Sequence, residues 1–131
     1  MRGMDEMIQT INSTEAPQAI GPYAQAVRAG NYIYLSGQLP INPKTNNIEE
    51  FDIKTQTKQI LKNIQAILKE EKLKVENIVK TTIFLKNMNQ FTIVNEEYSE
   101  FMGGHLPARS TVEVSRLPKD ALIEIEVIAY S

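Results

Sequence analysis

The segment from Ile53 to Lys86, IKTQTKQILKNIQAILKEEKLKVENIVKTTIFLK, decides how this chain folds. Over Ile53–Leu73 the apolar residues fall at Ile53, Ile60, Leu61, Ile64, Ile67 and Leu68. That is the three-and-four spacing of one buried helical face. Asp52 stands just before the run as an N-cap. At Ile78 the pattern changes, and Ile78–Lys86 is rich in the β-branched and aromatic residues that fit a pleated strand. An amphipathic helix must lie on something, and the strand that follows says the support is a sheet.

Working outward, a second helix is expected over Met88–Met102, with Phe91, Val94, Tyr98 and Phe101 on one stripe. Asn87 caps it, with Gln90 three positions on in capping-box spacing, and Gly103 and Gly104 end it. Strands are expected at Tyr32–Leu39, Arg109–Arg116 and Ala121–Tyr130, with weaker signals at Met7–Ile11 and Ala24–Ala29. In the last long strand Ile123, Ile125 and Val127 point one way while Glu124 and Glu126 point the other. Turn chemistry marks Asn42–Asn47 and Leu117–Asp120. The order predicts one α+β domain over residues 1–131, a mixed sheet with two helices packed on one face, and residues 1–6 as a flexible N-terminal extension. Two strand–helix–strand units are present, without self-similarity between them.

Composition narrows the chemistry. The chain has 131 residues, 42% of them hydrophobic and 23% charged, an ordinary globular balance. It has no cysteine, which removes disulfides, thiolate nucleophiles, iron–sulfur clusters and cysteine zinc sites. One histidine, His105, cannot build a multi-histidine metal centre. Fourteen Lys+Arg against 16 Asp+Glu give a net charge of −2, the wrong sign for a dedicated binder of nucleic acid or anionic membrane. No apolar run has the length of a membrane span, and the start carries Asp5, Glu6 and Gln9 rather than a signal sequence, so a cytoplasmic protein is expected.

Three places invite chemistry. His105 sits in a glycine-rich loop, as a base without an evident nucleophile or simply as a loop histidine. Lys54, Lys58 and Lys62 recur every four residues, with Lys69 on the same face. They are either an RNA-binding stripe or, more simply, the solvated back of an amphipathic helix, since no aromatics interleave for stacking. The third is the C-terminal pair of strands. Arg109, Thr111, Glu113 and Ser115 share one face, and Glu124 and Glu126 share one face of the next strand. If they pair as a hairpin through Leu117–Asp120, an arginine and a carboxylate share one polar sheet face. That surface is either the sheet's wet side or a site where arginine grips a small carboxylate and a glutamate moves protons to and from water.

At these residues the sequence resembles the RidA (YjgF) family of reactive intermediate deaminases. The resemblance is carried by AIGPYAQAV (Ala19–Val27), YLSGQLPINPKT (Tyr34–Thr45), NIVKTTIFLKNMNQF (Asn77–Phe91), VNEEY (Val94–Tyr98), PARSTVEVSRLPKD (Pro107–Asp120) and IEIEVIA (Ile123–Ala129). These segments stand in family order and span nearly the whole chain from about Ala16. The resemblance implies a fold like that of the small trimeric chorismate mutase, assembly as a homotrimer, and ligand clefts between neighbouring subunits. It implies hydrolysis of 2-imino or 2-enamino acids, such as 2-iminobutanoate and 2-iminopropanoate, to 2-keto acids and ammonia. That activity protects pyridoxal-phosphate enzymes from species that such enzymes themselves release, and it uses no metal or organic cofactor.

Carried over by resemblance, Arg109 binds the substrate carboxylate and Glu124, rather than Glu126, positions the attacking water. Tyr23, Ser36 and Asn95 line the cleft, and Gly37 offers a bare backbone for close approach of a ligand. Two departures stand out. Thr111 replaces a cysteine found in many relatives and is expected to line the pocket, and the loop Met102–Arg109 is shorter than usual, with Leu106 where an aromatic often stands. Within the family, rival functions are a non-catalytic metabolite binder, an endoribonuclease or translation inhibitor, and a stress-induced holdase. The acidic balance and the lack of a histidine pair argue against nucleic acid as a partner, and no membrane partner is expected.

Overall fold

A computed structural model gives the positions of residues 7–131; Met1–Glu6, the expected extension, lie outside the described residues. Six strands form one sheet: β1 (Ile8–Ile11), β2 (Ala26–Ala29), β3 (Tyr32–Gln38), β4 (Ile78–Leu85), β5 (Ala108–Glu113) and β6 (Ile123–Tyr130). Their order is β1-β2-β3-β6-β4-β5, and every neighbouring pair is antiparallel except β4 and β5. Helices α1 (Ile53–Glu70) and α2 (Phe91–Met102) pack with each other and over one face of this sheet.

The helix read from the 53–73 segment is present, capped by Asp52, whose side chain accepts from the Thr55 N–H at 3.0 Å. Its predicted stripe is buried against Ile33, Leu35, Ile83, Leu85, Ile123, Ile125 and Val127. Each such side chain contributes about 2 kcal/mol by leaving water. The helix stops at Glu70 rather than Leu73, because Lys72 turns left-handed (φ 57°) and the Leu73 N–H reaches back to the Leu68 carbonyl at 3.0 Å. The second helix starts late. Met88–Gln90 form a 3₁₀ turn in which the Asn87 side chain accepts from the Asn89 N–H, and Gln90 makes no side-chain capping bond. Gly103, at φ 58°, ends α2 as expected.

The last two strands do not pair as a hairpin. β5 lies parallel to β4, with Arg109 opposite Thr81, and α2 makes the crossover between them. β6 lies along the other edge of β4, with Val127 opposite Thr81. The Leu117–Asp120 turn is therefore a bridge past the end of β4. It is a short 3₁₀ turn opened by Pro118, anchored where buried Leu117 and Ala121 meet Leu39 and Ile41. β5 also ends at Glu113, short of the expected Arg116.

This register decides which way the polar residues point, because residues opposite one another share a face. Arg109, Thr81 and Val127 face the helices. Val112, Phe84 and Glu124 face the other way. Buried amides fix the flanking loops. The Asn63 Nδ2 donates to the Leu39 and Ile41 carbonyls at 3.1 and 3.0 Å, and the Gln25 side chain both accepts from Ser13 N–H and donates to the Pro17 carbonyl.

Candidate active site

Arg109 is half-buried at the rim of the sheet, beneath α2. Its Nη1 donates to the Asn95 Oδ1 at 2.8 Å. The guanidinium carbon lies 5.4 Å from the centre of the Phe91 ring and 4.9 Å from that of Tyr98. At these distances the π faces of both rings attract the cation, by about 0.5–2 kcal/mol each. Among the described residues the guanidinium makes no other hydrogen bond, so its Nε–Nη2 edge retains the geometry that grips a carboxylate bidentately. A cleft of about 510 Å³ opens beside it, lined by Asn95, Tyr98, Ser99, Met102, His105 and Leu106 among others. Leu106 is 91% exposed at its mouth. Two positions along β5, Thr111 faces the same way, and its buried hydroxyl has no hydrogen-bond partner among the described residues.

Glu124 occupies a different environment. Its carboxyl group lies against the bare Cα of Gly37, where a β-carbon would come within 2.8 Å of the carboxyl carbon. Gly37 sits in the bulge where the pairing of β3 with β6 slips between Leu35 and Gln38. Phe84, packed on the small Leu39–Leu117 cluster, lies directly across from Glu124 on β4. Burial raises the Glu124 pKa above the ordinary 4.5, and repulsion from Glu126 adds to it. Ser36 donates its hydroxyl to the Ala24 carbonyl at 2.6 Å. Half-exposed Tyr23 accepts from the Ile20 N–H at 3.3 Å and shares a shallow depression with Gly37.

The residues singled out in the sequence thus fall into two groups. Arg109, Asn95 and Thr111 lie on the helix side; Glu124 and Gly37, with Tyr23 beside the same depression, form the other. Arg109 and Glu124 do not meet within one chain. Asn95, expected only to line a cleft, is the hydrogen-bond partner of the arginine. The group that lies against the bare backbone of Gly37 is the Glu124 side chain. His105 is held in its loop, its Nε2 bonded to the Ile78 carbonyl at 2.7 Å. Lys54 and Lys58 both reach toward the buried carboxylate of Glu97 at 3.9 Å, which ties α1 to α2. Sequence reasoning missed Phe91 and Tyr98 as the bed of Arg109, although aromatics four before and three after Asn95 were a visible signal.

Among the described residues no group of three or more His, Asp and Glu side chains is placed to hold a metal ion, and no helix is long and apolar enough to cross a membrane. Six strands backed by two helices, with a bedded guanidinium and a half-buried carboxylate on opposite faces, define a small α+β protein with two polar centres on one sheet. The sequence model of the family described as Endoribonuclease L-PSP matches residues 13–131. The 2-iminobutanoate/2-iminopropanoate deaminase of Escherichia coli K12 is 52% identical over 126 residues, covering 94% of this chain and 98% of that protein. A Rid-family protein, YyfA of Yersinia pestis, superposes with a TM-score of 0.92 at 51% identity, over 95% of this chain and 99% of that one. E. coli TdcF, solved with bound serine, superposes with a TM-score of 0.89 at 41% identity, over 94% and 98%. The chain belongs to the RidA (YjgF) family.

Proposed function

We propose that this protein hydrolyses reactive 2-imino and 2-enamino acids, 2-iminobutanoate and 2-iminopropanoate among them, to 2-keto acids and ammonia, and so protects pyridoxal-phosphate enzymes. The observation that carries the reading is the held Arg109 guanidinium with its Nε–Nη2 edge available. The deaminase name of the E. coli relative and the amino acid bound to TdcF support it. Because Arg109 and Glu124 face opposite ways on one sheet, a cleft using both is built from two copies of the chain. The homotrimer with clefts between subunits, which the family resemblance implies, is an assembly that supplies such a cleft.

In this cleft Arg109 grips the substrate carboxylate and holds the iminium carbon beside a water. Glu124, ionised, accepts one proton as the water oxygen bonds to that carbon, giving a carbinolamine. The proton passes from Glu124 to the amino nitrogen. The C–N bond then breaks with its electron pair leaving on ammonia, and loss of the hydroxyl proton completes the keto group. Tyr23, Ser36 and Thr111 line the cleft.

The test is loss of 2-iminobutanoate and 2-iminopropanoate, generated in the cuvette and followed by semicarbazide trapping. Wild type is expected to accelerate the loss and Arg109→Ala to leave it at the uncatalysed rate. No acceleration by folded wild type overturns the proposal in favour of a non-catalytic carboxylate binder. Full activity in Arg109→Ala overturns the clamp.

A further inference from the structure

The bed beneath Arg109 is built from side chains that the hydrolysis itself does not require. Phe91, Asn95 and Tyr98 fall at spacings of four and three along α2, so all three present to one side of the helix. Arg109 reaches this side from β5 and meets an aromatic ring, an amide oxygen and a second ring in turn. Tyr98 is itself tied down. Its hydroxyl shares a 2.8 Å hydrogen bond with the hydroxyl of Thr81, and both residues are buried. Thr81 is also the residue directly opposite Arg109 in the β4–β5 register. The contacts therefore close a ring, from Arg109 to Tyr98, to Thr81, and across the paired strands back to Arg109.

An arginine side chain has many rotamers, and a ligand that must select one of them binds more weakly for it. We propose that Tyr98 and Phe91 are positioning residues for Arg109. They fix the guanidinium so that its Nε–Nη2 edge is presented to the substrate carboxylate, and Thr81 fixes Tyr98. The inference rests on the reading of Arg109 as the carboxylate clamp. Neither ring needs to touch substrate, because both act through the arginine.

The experiment is steady-state hydrolysis of 2-iminobutanoate by the assembled protein carrying Tyr98→Leu, Tyr98→Phe or Phe91→Leu, with Arg109→Ala alongside. A looser guanidinium weakens carboxylate binding in ground and transition states alike, so Tyr98→Leu should raise KM about tenfold with kcat within about threefold of wild type. Tyr98→Phe keeps the ring but loses the Thr81 hydrogen bond, and should raise KM only about threefold, between wild type and Tyr98→Leu. Phe91→Leu should raise KM in the same sense, and it carries the test where Tyr98→Leu fails to assemble. An unchanged KM in the leucine variants, a fall in kcat alone, or Tyr98→Phe as impaired as Tyr98→Leu overturns the inference. Activity in Arg109→Ala refutes the clamp itself, whereas an inactive Arg109→Ala beside unaffected leucine variants refutes only the seat.

Discussion

Arg109 and Glu124 stand on strands separated by β4 alone, yet they point to opposite faces of the sheet. Facing opposite ways, the guanidinium and the carboxyl group do not meet on one small molecule within a single copy. The proposed chemistry therefore requires a neighbouring copy.

Arg109→Ala and Glu124→Gln proteins should each be inactive alone. Unfolded together in equal amounts and refolded, they should regain about a quarter of wild-type activity, the fraction of random interfaces that pair an intact arginine with an intact glutamate. No recovery from a mixture shown to exchange subunits would place both groups in one copy's site.

Gly37→Ala tests the close approach of Glu124. The added methyl group would come within 2.8 Å of the carboxyl carbon, and the half-exposed glutamate end must swing away. Activity should fall about tenfold or more while stability changes by no more than about 1 kcal/mol, since the displaced group is the flexible end of a side chain.

The raised pKa of Glu124 has a definite sign in stability. In Arg109→Ala protein, where no opposing guanidinium offsets it, the folded state holds the proton above pH 4.5 while the unfolded chain releases it. The contribution is full below that pH, is lost as pH rises through the folded pKa, and is flat above it. Urea midpoints measured across this range should fall with pH in Arg109→Ala, and the fall should shrink when Glu124→Gln is added.

Asn63→Ala should lower stability by about 2–4 kcal/mol, because it strands the buried carbonyls of Leu39 and Ile41 and leaves a void. Urea unfolding reads this directly. A loss below about 0.5 kcal/mol would mean that another donor replaces the amide.

Much of this architecture was legible because it is local. The α1 stripe, its Asp52 cap, the alternation of β6 and the Gly103 stop each depend on residues a few positions apart. What was not legible is which strand lies beside which. Alternation in Arg109–Glu113 says that Arg109 and Thr111 share a face, but it is silent on whether that face meets water or a helix. A turn-like Leu117–Asp120 reads the same whether it closes a hairpin or carries the chain past β4. The candidate site residues were named by resemblance, residue by residue. Their division between two faces was not legible, because that depends on the parallel β4–β5 register.

The sheet order also bears on how the protein is made. β6, the last strand in sequence, occupies an interior position, with β3 on one side and β4 on the other. As a nascent chain leaves the ribosome, β1 to β3 can pair as they emerge, but β4 and β5 have no route to them until Ile123–Tyr130 has been synthesised. Until then the apolar faces of α1 and β4 have no completed sheet to cover them, and this interval is when chaperones would be needed most.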